Sequence, residues 1–345
     1  QNYIFLFFLK KNQYIQELGL LSRYSQVTQE TNIYRDILKP VFLELLTGSP
    51  DPLEMTDIIR YEEPEFDGGV IPNEIFEEIF KTFEMFEWAL KEKNTSDEAI
   101  QPDILGYIYE RDQKMSPNSR KKEARKRKET GSFFTDPEIA EIICKETLYP
   151  HLLSQIREKT GQRYQTLDEF FVKADKRKIV QFYFCILSNL RILDPAVGSG
   201  VFLLAIVKEL LDIFIKTFQH IENLDNKEVF NLKKELIKIE NTKEYYFLTK
   251  IVLINIFAVD IQELAIETTK RRLWLLIASH SNKPAPFPNL DYNLRVGNSL
   301  IGLMDENTLD GLSLDITQII EGAKKIIPPE VLLPLKNSHL ISIFF

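Results

Sequence analysis

Apolar residues recur along the chain with two different periods, and the change between them sets the organisation. Up to residue 128 the spacing is mainly helical. Ile75, Ile79, Phe80, Phe83, Phe86 and Leu90 return every three or four positions with Glu and Lys between them, which predicts an amphipathic helix. Pro64, Gly68, Gly69 and Pro72 mark an irregular loop ahead of it. From Gly131 the pattern changes. Thr135-Asp136-Pro137-Glu138 reads as a capping box with Thr135 at the N-cap, opening a helix whose Ile139, Ile142 and Ile143 share one face. Residues 151–190 are again mostly helical. Short apolar runs then alternate with helices. A strand at Leu190–Leu193 runs into DPAVGSG (Asp194–Gly200) and a helix at Val201–Phe214. A second strand, Ile254–Val259, ends in Asp260 and is followed by a helix at Leu264–Ile277. A third, Tyr292–Val296, ends at Gly297-Asn298-Ser299-Leu300. Strands alternating with helices predict an α/β fold with a parallel, doubly wound sheet. The expected division is a helical N-terminal region over 1–128 and an α/β domain over 129–345.

Composition narrows the class without naming a chemistry. The 345 residues carry 43 Lys+Arg against 51 Asp+Glu, a net charge of −8, with 44% hydrophobic and 27% charged residues. Such a balance argues against a disordered, collagenous or disulfide-stapled chain. Cys144 and Cys185 stand far apart in apolar contexts and are expected to be buried thiols in a reducing cytoplasm. No run approaches the ~20 apolar residues of a membrane span. Tyr3–Leu9 is apolar but stops at Lys10 and Lys11 with no charged leader, so neither a span nor a signal peptide is expected. His151, His220, His280 and His339 are scattered and suggest no metal site. Pro50-Asp51 has no E-x-K partner before Ile100, so no nuclease centre is evident.

Charge, by contrast, is strongly uneven. Asp51–Ile100 holds 15 acidic residues and four basic ones, whereas Arg120–Lys128 (RKKEARKRK) holds seven basic residues in nine. The basic residues are Arg120, Lys121, Lys122, Arg125, Lys126, Arg127 and Lys128. Such a run reads as a solvated linker or as a contact to a phosphate backbone. Its place directly before the first α/β motif favours the second reading.

The strand–turn–helix at Asp194–Val201 is the arrangement that offers a ligand backbone N–H groups at a helix start. Gly198 and Gly200 let a backbone approach closely. Asp194 can take an amine or hydroxyl, and Asp260, ending the next strand, is placed to accept two ribose hydroxyls. A G-x-G alone is weak evidence. The interval to Asp260 exceeds the ~20 residues of a plain dinucleotide unit, which speaks against a nicotinamide dehydrogenase and makes Leu210–Glu244 an inserted helical hairpin.

These residues carry a resemblance. DPAVGSGVFL resembles motif I of the DNA adenine-N6 methyltransferases, which bind S-adenosylmethionine. GSFFTDPEIAEII (Gly131–Ile143) resembles their motif X, NIFAVDIQELAIETTKRRLWL (Asn255–Leu275) motif II and its helix, and NLRVGNSLIG (Asn293–Gly302) motif III. FDGGVIPNEIF (Phe66–Phe76) and QPDILGYIYER (Gln101–Arg111) resemble the helical region ahead of the methyltransferase in the large type IIG restriction–modification enzymes and related phage-defence methylases. The resemblance covers roughly Asp67 to Gly302. It implies an incomplete Rossmann-like methyltransferase sheet, S-adenosylmethionine as cofactor and double-stranded DNA as partner. Residue by residue, it implies that Thr135 sits beside the methionine end of the cofactor. Asp194, Pro195, Ala196, Gly198 and Gly200 surround its amino-acid moiety. Asp260 holds the ribose, Ile261 packs on the adenine ring, and Asn298, where many relatives carry Asp, meets the adenine edge. Asp136 replaces the proline usual after the threonine, a change the capping geometry tolerates.

The family's catalytic motif is Asn/Asp-Pro-Pro-Tyr/Phe, whose polar side chain and aromatic ring receive a flipped base. It does not occur between Gly302 and Phe345. Ile327-Pro328-Pro329-Glu330 lacks both the amide and the aromatic and reads as a turn. The expectation is therefore a cofactor-binding fragment, inactive alone, with the catalytic motif and recognition domain beyond Phe345. Only the first strands of the sheet are present, so an uncovered edge on strand 1 predicts poor solubility. The alternatives are a non-catalytic cofactor- or DNA-binding subunit, and a methyltransferase of similar fold acting on protein or RNA.

Overall fold

The computed structural model describes residues 2–11, 72–90, 99–112, 135–283, 285 and 287–299. The basic run 120–128, the Pro-Pro turn at 328 and the Pro-Asp pair at 50 lie outside them. By compactness the chain forms two units, one of Gln1–Phe134, Ile239–Thr249 and Glu267–Tyr292, the other of Thr135–Lys238, Lys250–Ile266 and Asn293–Phe345.

The first unit holds helices α1 (Asn2–Lys11), α2 (Asn73–Glu84) and α3 (Ile104–Asp112), and aromatic side chains join α1 to α2 and to Trp88. The apolar run at the chain start buries Phe5, Phe7, Phe8 and Leu9. Phe7 meets Phe80, Phe83 and Trp88 at centroid distances of 5.5, 5.1 and 5.9 Å. The periodic stripe expected from Ile75 to Leu90 is shorter than its sequence. α2 stops at Glu84, Phe76 is buried instead of Ile75, and Phe86 is exposed. The Trp88 indole donates to the Phe83 carbonyl at 2.7 Å, answering an acceptor that the helix end leaves open. Arg272 is buried and pairs with Asp103.

The second unit holds the sheet. α4 (Pro137–Thr160), α5 (Leu167–Lys173) and α6 (Lys176–Gln181) lead through a wide, π-type turn (Phe182–Ile186) and a tight one (Leu187–Asn189) to β1 (Ile192–Asp194). α7 (Val201–Ile221), α8 (Lys227–Ile239) and α9 (Lys243–Ile254, of which the residues to Thr249 count with the first unit) then lead to β2 (Ile256–Asp260). After α10 (Glu263–Ser279, which counts with the first unit from Glu267 on) comes β3 (Leu294–Val296). The strands are parallel in the order β1-β2-β3, with Asp194 level with Ala258 and Asp260 level with Val296. An α/β fold with a parallel sheet was expected, and among the described residues the sheet has three strands. α8 and α9 fill the interval that made the spacing to Asp260 long. No described helix is long and apolar enough to cross a membrane.

Two asparagines set the strand register. Asn255, directly before β2, is buried and donates from Nδ2 to the carbonyls of Leu187 (2.8 Å) and Leu190 (2.9 Å), on the approach to β1. Asn293, directly before β3, does the same to Leu253 (3.1 Å) and Ile256 (2.9 Å) beside β2. Each amide adds a donor to carbonyls at the strand starts, those of Leu187 and Leu190 also accepting from Leu190 N (3.3 Å) and Arg191 Nη1 (2.9 Å).

Three expectations are corrected here. The N-cap of α4 is Asp136, not Thr135: its Oδ1 accepts from the Glu138 amide at 2.9 Å. Pro137 is suited to the first helical position, which places the cap one residue before it. The face of α4 that meets the core is Ala140, Cys144, Leu148, Leu152 and Ile156, while Ile139, Ile142 and Ile143 are exposed. Small residues at i, i+4 spacing let the neighbouring helix approach closely, and this outweighs the greater apolarity of the isoleucine stripe. Cys144 is buried as expected, but Cys185 is exposed.

Candidate cofactor site

β1 ends at Asp194 and the chain turns through Pro195-Ala196-Val197-Gly198-Ser199-Gly200 into α7. Two of these positions need glycine because the backbone turns left-handed, with φ of 54° at Gly198 and 83° at Gly200. The amides of this turn hold it in place. Ala196 donates to Asp194 Oδ1 (3.1 Å), Val197 to the Val259 carbonyl (3.1 Å) and Gly200 to the Val197 carbonyl (2.9 Å). Gly198 donates to Asp260 Oδ2 at 2.8 Å. The turn is thus a ledge stitched to the end of β2 by the carboxylate singled out from the sequence.

Asp260 also accepts from Gln262 N at 2.8 Å through Oδ1, so each of its oxygens already takes one protein hydrogen bond and keeps one lone pair for another donor. Its main-chain carbonyl accepts from Gly297 N at 2.8 Å, and Asn298 follows directly, exposed. Ile261, beside Asp260, is 64% exposed. Asp194 is different in kind: it is 5% exposed, and burial first, with a smaller contribution from Asp260, pushes its carboxyl from 3.8 up to about 6, against the opposing bond from Ala196 N. A buried carboxylate with no cationic partner among the described residues is suited to an ammonium or hydroxyl donor.

The structure therefore gathers Asp194, Pro195, Ala196, Gly198, Gly200, Asp260, Ile261 and Asn298 at the carboxyl ends of β1, β2 and β3. Thr135 stands on another element, half-buried at the entrance to α4, which packs along α7. Asn255, Asn293 and Gln262 were missed. The asparagines carried a signal, since each immediately precedes an apolar run that becomes a strand. No group of His, Cys, Asp and Glu among the described residues could hold a metal ion.

A glycine turn with acidic residues closing adjacent parallel strands is the form taken by nucleotide-type sites of α/β proteins, at the carboxyl edge of the sheet. Residues 172–285, which include Asp194 to Ile261 but neither Thr135 nor Asn298, match the family model of the MmeI DNA-methyltransferase domain. The chain is also 30% identical to a protein of Methanocaldococcus jannaschii described as a type II restriction enzyme and methyltransferase, over 88% of this chain and 27% of that one. The chain is thus similar to methyltransferases of restriction–modification systems, and it spans about a quarter of the length of the curated relative that it matches.

Proposed function

We propose that the chain is the N-terminal and cofactor-binding portion of an S-adenosylmethionine-dependent DNA adenine-N6 methyltransferase with a Rossmann-like sheet, its methyltransferase domain beginning near residue 129. The observation that carries this reading is the glycine turn tied to two strand-end carboxylates, within the segment matching a methyltransferase domain. The donor set suits the cofactor. Asp194 answers its ammonium, the remaining lone pairs of Asp260 answer ribose hydroxyls, and exposed Ile261 offers an apolar surface to the adenine. The Asn298 carbonyl oxygen accepts from the adenine amine, and Thr135 stands at the methionine end. When bound, the cofactor supplies an activated methyl group, so the protein's contribution is chiefly orientation. None of these residues is given a catalytic role. The Asn/Asp-Pro-Pro-aromatic motif belongs to the longer protein, as does recognition of double-stranded DNA. The basic residues Arg120–Lys128 fit contact with its phosphates, and the working compartment is the cytoplasm.

Calorimetry tests the site. Asp260→Ala is expected to weaken S-adenosylmethionine binding by about 1–3 kcal/mol, the loss of a charge-assisted acceptor. Unchanged affinity with the fold intact removes the ribose assignment. Transfer of labelled methyl to adenine of duplex DNA by the full-length protein, rather than to protein or RNA, tests the substrate class.

A further inference from the structure

Glu209 lies midway along α7, is 8% exposed, and accepts from the Tyr149 hydroxyl (Oε2, 2.8 Å) while pairing with Lys145 (Oε1, 3.0 Å), both on α4. One level nearer the glycine turn, the buried Cys144 thiol donates to the Phe202 carbonyl at 3.6 Å. Cys144 is thus matched to residue 202, and Lys145 and Tyr149 to residue 209, so the two helices run parallel. Pro137 precedes Cys144 by seven residues and Val201 precedes Phe202 by one. By the Tyr149 and Cys144 contacts, α4 starts four to six residues, roughly 6–9 Å at the helical rise, beyond the start of α7, on the side where the strands end. That overhang carries Thr135.

Adhesion does not require a charge here. With Lys145 half-exposed, the ion pair contributes little to stability, and the best-attested use of a buried polar group such as Glu209 is to specify one register among several. Leu148, Leu152 and Ile156 on α4 already supply the apolar contact. A stripe spaced by four residues tolerates a slide by one turn, whereas the Glu209 contacts to Tyr149 and Lys145 do not. We propose that Glu209 is a positioning residue that fixes the register of α4 on α7, and so the place of Thr135 relative to the glycine turn. This rests on the reading of that turn as the cofactor site. The Cys144 thiol reports on the same interface: burial foremost, then the charges of Glu209, Asp194 and Glu141, push it up to about 12, so it is unreactive in this register.

The test uses the full chain with Glu209→Gln and Lys145→Met, the latter at a side chain 44% exposed, where unfolding is not expected. Three quantities are read: the unfolding midpoint, S-adenosylmethionine affinity, and labelling of Cys144 by a small thiol reagent, with exposed Cys185 as internal reference. The expected result is about tenfold weaker cofactor binding and about tenfold faster Cys144 labelling, with the midpoint nearly unchanged. Wild-type affinity in both variants overturns the proposal, as does a lowered midpoint without faster labelling. If the unmodified chain binds no cofactor while Cys144 labelling still accelerates in the variants, the register role stands and the cofactor reading fails.

Discussion

Asp194→Asn separates the electrostatics of the site from its fold. Asp194 is 5% exposed and carries one main-chain hydrogen bond, from Ala196, and its carboxyl is raised from 3.8 to about 6. At about 1.4 kcal/mol for each pH unit, keeping it ionised in the folded chain costs on the order of 3 kcal/mol at pH 8. The folded-state value is raised, so this group's contribution to stability is fully present below 3.8 and is lost as pH rises through about 6. Asparagine keeps an oxygen for the Ala196 amide and removes the charge, at a cost of about 1–2 kcal/mol for a buried NH₂ without an assured acceptor. The ligand-free variant should therefore unfold in urea with about 1–2 kcal/mol more stability than the parent at pH 8. That advantage should shrink steadily below pH 6, vanish near pH 5 and turn into a deficit of about 1 kcal/mol near pH 4. Binding should run the other way. A cationic ligand offsets the buried charge, so the parent's affinity for S-adenosylmethionine falls as pH drops below about 6, while the variant binds more weakly with a flat pH profile. A variant less stable than the parent at pH 8, or a stability difference independent of pH, would refute the reasoning.

Further outcomes follow from local geometry. Asp136→Ala should cost about 1 kcal/mol by loss of the cap on α4, while Thr135→Ala should leave the urea midpoint in place and weaken cofactor binding instead. Gly200→Ala should destabilise by about 1–2 kcal/mol, because φ at 83° strains any residue with a Cβ, and thermal unfolding reads this directly. Asn255→Ala removes one donor from each of the carbonyls of Leu187 and Leu190, which keep Leu190 N (3.3 Å) and Arg191 Nη1 (2.9 Å), and should cost on the order of 1–2 kcal/mol in denaturant unfolding.

The candidate site was legible because its residues are consecutive or nearly so. Asp194–Gly200 declares a strand, a turn and a helix within a dozen positions, and Asp260 closes the next apolar run. Backbone conformation at Gly198 and Gly200 is a local property, so composition alone pointed to it. Element limits moved by a residue or two, as when β1 came to include Asp194 instead of ending before it. Other features depend on partners far along the chain. The isoleucine stripe and the Ala140–Cys144–Leu148 stripe of α4 are both apolar at helical spacing, and only the helix that packs against them decides which is buried. Glu209 looks like a surface residue in an apolar helix until Tyr149 and Lys145 are brought beside it from 60 and 64 positions away.

By itself the sequence settled the alternation of strands and helices, the glycine turn and the acidic residues that end β1 and β2. These follow from side-chain period and from the conformations that glycine and proline allow. Only the tertiary structure decided that Asp260 holds the turn to its neighbouring strand, that Asn255 and Asn293 clip the strands in register, and that Asp194 is buried deeply enough to resist ionisation. Each of those depends on which groups exclude water from which others, and solvent exclusion is a property of the packed chain, not of any segment read alone.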